Sequence, residues 1–198
     1  MINFKNLNQE TPFLIFKDKF DEARYANQSN IDAISISSYS LKNKEVNSRY
    51  VNLKFVIDKE FIFFSNYHSP KAHDFNSHNQ ISALIYWDKI DVQIRMKAKI
   101  KQTTKEFNFE YFSKRDDKKN ALSISSKQSA TIESYENVYK KYKHAFKSEN
   151  LQECPDNWGG FSFVPYYFEF WKGHNSRLNK RESYELQNEK WIHSFLQP

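Results

Sequence analysis

Residues 158–181, WGGFSFVPYYFEFWKGHNSRLNKR, concentrate the groups that a flat anionic ligand would need. Trp158 and Trp171 offer aromatic walls, and Arg177, Lys180 and Arg181 offer cations close behind them. All three glycines of the 198-residue chain, Gly159, Gly160 and Gly173, fall in the same stretch. A chain that otherwise does without glycine keeps it where the backbone needs positive φ or where another group must come close. The same letters also describe a last core strand followed by a solvated basic loop. Two more places could hold an anion. Arg49 heads the apolar side of an alternating segment, and Ser69-Pro70-Lys71 reads as a helix start, with Ser69 as cap and Pro70 at the first position. Free N–H groups and the positive end of the helix dipole favour phosphate there, and Lys71 adds charge.

Other chemistries find little support. The Gly159-Gly160 pair has neither P-loop nor dinucleotide spacing. His68, His73 and His78 recur every five residues, which no helix face keeps together, so no metal site is expected. The single cysteine, Cys154, excludes an internal disulfide and a Cys-rich metal centre. No hydrolytic triad is recognisable, so any difficult chemistry would be a cofactor's. A net charge of +6 and a pI near 9.1 suit small phosphorylated ligands or nucleic acid; lysines spread along the whole chain favour the former. No apolar run approaches the roughly 18 residues that span a bilayer. The start lacks the basic-then-apolar pattern of a signal peptide, so the expected location is the cytoplasm and no membrane partner is expected.

The elements that must position these groups are mostly strands. Residues 1–10 carry few signals and read as a loose arm. Thr11-Pro12 opens a helix to about residue 27, with Phe13, Phe16, Phe20 and Ala23 on one face. Alternation predicts strands over 31–39 and 46–57; the second has Arg49, Val51, Leu53, Phe55 and Ile57 on one side and Tyr50, Asn52, Lys54 and Val56 on the other. Strands follow at FIFFSN, 80–87 and 91–101, then a helix capped by Thr103 or Thr104 that runs through Arg115. The segment DDKKNALSISSKQSA reads as a polar loop, and residues 133–149 as a helix with Tyr135, Val138, Tyr142 and Phe146 at helical spacing. A strand over 161–171 and a hairpin turned at Asn188-Glu189 end the chain. About seven strands with three or four helices, and no βαβ alternation, predict one mainly β domain over 1–198: an antiparallel sheet or closed barrel with peripheral helices.

Taken in order, the segments RYVNLK (49–54), FFSNYHSPKA (63–72), Gln93, YFSKR (111–115), SKQS (126–129), WGGF (158–161), EFW (169–171) and RLNKR (177–181) resemble the pyridoxamine 5'-phosphate oxidase family. The likeness runs from about Pro12 to the final Leu-Gln-Pro; each motif is short, and their order and spacing make the series specific. It implies an FMN-binding split β-barrel and a homodimer with flavin at the subunit interface. By position, Arg49 and Lys71 would hold the FMN phosphate. Tyr50, Val51, Asn52, Leu53, Lys54, Phe64, Ser65, Gln93, Gln128, Ser129, Trp171 and Arg181 would line the rest of the flavin site. Lys54, Tyr111, Arg115 and Lys119 would grip the phosphate of a phosphorylated pyridine substrate, Asn179 would stand beside it, and Arg177 would lie over the ring next to the reacting carbon. The implied activity is oxidation of pyridoxamine or pyridoxine 5'-phosphate to pyridoxal 5'-phosphate, with O2 as acceptor and H2O2 as by-product.

Four departures stand out. Pro70 takes the place of an arginine beside Lys71, Lys119 that of a serine at the substrate phosphate, and Asn179 that of a histidine. The arm before Pro12 is shorter than the family's. Two other readings stay open: a split-barrel flavin oxidoreductase for a different substrate, and a non-catalytic basic binding module.

Overall fold

The computed structural model describes residues 1–198. Alternating apolar and polar side chains build nine strands, of which only β1 has no counterpart in the segments read from the sequence: β1 (Asn3–Lys5), β2 (Ala33–Ser40), β3 (Glu45–Ile57), β4 (Glu60–Asn66), β5 (Gln80–Trp87), β6 (Val92–Gln102), β7 (Trp158–Lys172), β8 (Lys180–Gln187) and β9 (Lys190–Leu196). Five helices accompany them: α1 (Thr11–Tyr25), α2 (Pro70–Ser77), α3 (Lys105–Ser113), α4 (Asp117–Ser125) and α5 (Tyr135–Ser148). The pairing β3-β2-β5-β6-β7 is closed by β4, which bonds to both β7 and β3, so six strands make a ring. β8 and β9 extend the sheet outward from β7. Closure leaves no free edge within the six-strand ring; β1 and β9 are the edge strands that remain.

The core fills this ring. Phe13, Phe16, Phe20 and Ala23 of α1 are buried as the periodicity predicts, and Phe13 packs on Phe61, Phe168 and Trp191. Residues 1–10 are not a loose arm. β1 pairs in parallel with Phe55–Ile57 of β3, Ile2 is buried, and Phe4 packs on Phe16 and Phe20. Apolar Ile2 and Phe4 were the overlooked signal, since together they cover the outer flank of α1.

The strict two-residue period of β3 fails at one point. A register shift between Leu53 and Phe55 turns Val56 into the core and leaves Phe55 facing Phe107 and Tyr111 of α3. A bulge adds one residue and reverses which face later residues use. The segment read as a polar loop is α4: Asp116 caps it by accepting from the Lys119 N–H, and Asn120 and Ala121 are buried beneath it. Its small polar residues hide the periodicity. On α5 only Ala145 is buried, so the aromatic spacing there does not mark a core face in this chain. No helix is long and apolar enough to cross a membrane.

None of the glycines has positive φ; the left-handed turns use other residues, among them Asn188 and Glu189 of the final hairpin. Close approach explains Gly159 instead, because a Cβ there would overlap the Tyr67 hydroxyl and the Asn108 amide.

Candidate functional site

The sequence-predicted site residues fall into two groups that one chain does not bring together. β7 carries both: Trp158 at one end pairs with Asn66, and Trp171 at the other pairs with Gln93. Thirteen residue steps of extended strand separate them, up to about 40 Å. The two tryptophans and the three cations of residues 158–181 therefore do not form one pocket within the chain. Lys180 pairs with Glu182 at 2.9 Å, and Arg181 with Glu169 at 2.8 Å.

The first group begins where β3 and β4 meet α2. The Arg49 guanidinium donates from Nη1 to Ser38 Oγ (2.8 Å) and the Ile36 carbonyl (3.2 Å), while Nη2 lies 3.8 Å from buried Asp74. Ser69 occupies the cap position of α2, but its hydroxyl donates to the Asn66 carbonyl instead of capping. Lys71 is buried, and its Nζ donates only to Ser65 Oγ (3.2 Å) and Ser69 Oγ (3.1 Å). Burial and then the neighbouring Arg49 charge push its pKa down to about 8. Gln128 Oε1 accepts from Ser65 Oγ (3.0 Å) and the Asn66 N–H (3.3 Å), which ties the loop after α4 to β4. Ser129 follows in the left-handed region. Leu53 is wholly buried, so only its backbone could meet a ligand, whereas Tyr50 is 77% exposed on the outer face.

Beside this corner, Phe64 stacks on Tyr111 with centroids 4.0 Å apart and on Trp158 at 5.0 Å. The Arg115 guanidinium lies 5.1 Å above the Trp158 ring and donates from Nη1 to the Lys119 carbonyl, Asn120 Oδ1 and Ser123 Oγ. Phe64, Ser65, Arg115, Gln128 and Trp158 contribute to the lining of a cavity of about 240 Å³. Burial raises the Tyr111 phenol above its ordinary value despite the Arg115 charge. Lys54 reaches this region from β3 and pairs with Asp32 at 2.9 Å. Lys119 is exposed on the first turn of α4.

The second group sits on the outer face of the sheet. Gln93, Trp171 and Arg181 are register neighbours on β6, β7 and β8. Arg177 is exposed, with a left-handed backbone (φ 59). Its turn is knit by the Arg177 N–H to the His174 carbonyl (2.8 Å), the His174 N–H to Asn179 Oδ1 (3.1 Å) and the Ser176 N–H to His174 Nδ1 (3.2 Å). The Asn179 side chain thus holds the turn that presents Arg177. On the same face Tyr50 and Leu84 share a register row through Ser35, and exposed Tyr86 lies opposite Gln93.

Sequence reasoning missed four partners. Asp74 and Ser38 hold Arg49, Asp32 holds Lys54, and buried Glu169 holds Arg181. Only Glu169 left a signal, a lone carboxylate inside the apolar run around Phe168 and Phe170. Cys154 is pushed up to about 11 by burial and the Asp156 charge, so it is a protonated thiol at neutral pH and no nucleophile.

Comparison with known proteins adds the following. Residues 158–198 match the family description "Pyridoxine 5'-phosphate oxidase C-terminal dimerisation region". A pyridoxine/pyridoxamine 5'-phosphate oxidase of Leptospira biflexa is 33% identical over 198 residues, covering 97% of this chain and 93% of the relative. The enzyme of the same name from Coxiella burnetii is 33% identical over 183 residues, covering 91% and 92%. Among solved structures, PhzG from Burkholderia lata, in complex with tetrahydrophenazine-1-carboxylic acid, superposes with a TM-score of 0.89 at 22% identity, covering 94% of this chain and 92% of that one. A pyridoxamine 5'-phosphate oxidase-related, FMN-binding protein of Nostoc punctiforme superposes with a TM-score of 0.75 at 13% identity, covering 96% and 99%. These two structures share the fold.

Proposed function

The chain belongs to the pyridoxine/pyridoxamine 5'-phosphate oxidase family, and from that premise we propose that it is an FMN oxidoreductase that converts pyridoxine or pyridoxamine 5'-phosphate to pyridoxal 5'-phosphate. The observation that carries the flavin assignment is Lys71. A buried ammonium bonded only to two hydroxyls, next to a second cation, is costly without an anion. A phosphate fits that need, and Arg49 is already oriented by Ser38 and Asp74 to share it. Ser65, Gln128 and Phe64 stand alongside to meet the remainder of the cofactor.

FMN, when bound, would supply the two-electron acceptor, with O2 as the final oxidant and H2O2 as by-product. The protein's own part is binding, orientation and charge. Lys54, Tyr111, Arg115 and Lys119 hold the substrate phosphate, fixing the ring at a set distance from the anchored end. Arg177, presented by the Asn179-braced turn, lies against the pyridine ring beside C4'. The alcohol substrate loses two electrons and two protons to give the aldehyde directly. The amine gives an imine, which water converts to the aldehyde and ammonia.

Gln93, Trp171, Arg177 and Arg181 are supplied to this site by a second copy of the chain. All but Gln93 lie within the matched dimerisation region, and exposed Tyr50, Leu84 and Tyr86 offer an apolar row on the same face for a two-fold contact.

The test is a visible spectrum of the protein with FMN, before and after anaerobic pyridoxine 5'-phosphate. A bound-flavin spectrum that bleaches and returns in air supports the oxidase. Bound flavin that stays oxidised points to a barrel oxidoreductase for another anion, a reading that the Asp32 carboxylate beside Lys54 favours. Failure to bind flavin overturns both.

A further inference from the structure

Of the three cations grouped with Tyr111, Lys54 alone has a carboxylate within 4 Å, Asp32 at 2.9 Å. Arg115 spends its hydrogen bonds on neutral oxygens, and Lys119 has no ion-pair partner. Asp32 immediately precedes β2 and lies beside β3: its carbonyl accepts from the Leu53 N–H at 2.8 Å, which sets its side chain next to Lys54. Both charges are partly shielded, with 19% of the Asp32 side chain and 30% of the Lys54 side chain exposed. Burial works to raise the Asp32 carboxyl, yet the hydrogen bond and charge of Lys54, together with the N-terminal ammonium 3.5 Å from the same oxygen, outweigh it and hold the group below its ordinary value. The carboxylate also acts on the Tyr111 phenol, which places it in the same electrostatic neighbourhood.

We propose that Asp32 is a specificity-determining residue: it holds Lys54 when the phosphate pocket is empty and competes with the incoming phosphate for that ammonium. This rests on the reading of Lys54 as a phosphate ligand. The consequence follows from Coulomb's law in a partly shielded site. A dianion entering beside Asp32 gains the Lys54 contact only by weakening an existing ion pair and by standing near a like charge. Asp32 therefore sets a looser grip on the phosphate end than the cations alone would give, and eases release of a product carrying the same phosphate. An anion of lower charge is penalised less, so the carboxylate narrows the preference for dianions over monoanions.

The experiment compares Asp32→Asn, Asp32→Ser and Lys54→Met in the FMN-loaded protein. Calorimetric binding of inorganic phosphate is the anion probe, and KM for pyridoxine 5'-phosphate is the kinetic readout. Removing the Asp32 charge should tighten phosphate and lower KM by roughly three- to tenfold in both Asp32 variants, while Lys54→Met weakens both. If Lys54→Met changes neither constant, the phosphate-ligand reading of Lys54 fails and the proposal with it. If Lys54→Met weakens binding and the Asp32 variants weaken it too, Asp32 merely positions Lys54 and the competition is overturned.

Discussion

Glu169 Oε1 accepts two hydrogen bonds from Arg181, from Nε at 3.1 Å and from Nη2 at 2.8 Å. Its other oxygen takes Arg95 Nη1 at 3.1 Å and the Tyr167 hydroxyl at 3.2 Å, and the residue is only 3% exposed. Arg181 Nη1 meanwhile donates to the Gln197 carbonyl. The guanidinium is thus aimed by a buried carboxylate and by the end of the chain.

Glu169→Gln should therefore act on flavin binding as well as on stability. The amide keeps the shape but removes the charge that balances two arginines, so about 2–4 kcal/mol of stability should be lost. FMN affinity should fall about tenfold through the disordered Arg181. Fluorescence titration with FMN on folded protein, alongside urea unfolding, separates the two effects. Unchanged affinity in a destabilised variant would remove Arg181 from the flavin site.

Lys71 gives a pH signature of opposite sign for folding and for binding. Its folded pKa of about 8 lies below the ordinary 10.5. Between those values the unfolded chain keeps a proton that the folded, flavin-free protein has released, so this group's contribution to stability improves as pH rises through the window. Below about 8 the full burial cost is present. Phosphate binding needs the ammonium, so FMN affinity should fall as pH rises past about 8. Lys71→Met should stabilise the flavin-free protein at neutral pH by about 1–3 kcal/mol and flatten the alkaline slope. The same variant should bind FMN more weakly. Unfolding curves and FMN titrations across pH 6–10.5 check both signs; a flavin-free stability that ignores this window would mean Lys71 stays charged when folded.

Arg115→Ala should raise KM for pyridoxine 5'-phosphate about 10- to 100-fold and leave FMN bound. Arg115→Lys should recover little of this, because the guanidinium fork is needed both for the α4 oxygens and for the face of Trp158. Steady-state kinetics on both variants decides it. A lysine variant with near-normal KM would reduce Arg115 to a point charge.

How far these groups were legible in the sequence depended on the kind of regularity each obeyed. α1 and β6 follow single periods from end to end, and their buried faces match the letters. The bulge after Leu53 breaks the period of β3, and nothing in RYVNLKFV marks it. α4 was hidden because serine and lysine blur an apolar stripe, although Asp116 stood in the capping position. The site residues were reached by the resemblance of short segments, which says where cations stand. It assigns no role to Asp32, Asp74 or Glu169, because an ion partner from another element has no fixed spacing in the chain.

Pro70 supplies the last test, at the one position where the phosphate corner carries fewer cations than the family pattern implies. It is exposed at the first turn of α2, directly before Lys71, so a longer side chain there meets solvent and not the core. Pro70→Arg gives up a residue whose fixed φ suits that turn, at a cost of about 0.5–1 kcal/mol in stability. In return a guanidinium stands at the helix start, where free N–H groups already favour an anion, and FMN should bind about three- to tenfold tighter. Thermal unfolding without flavin reads the first effect, and FMN titration reads the second. Lower stability with unchanged FMN affinity would mean that Arg49 and Lys71 already neutralise the phosphate, and that a third cation at position 70 adds nothing to it.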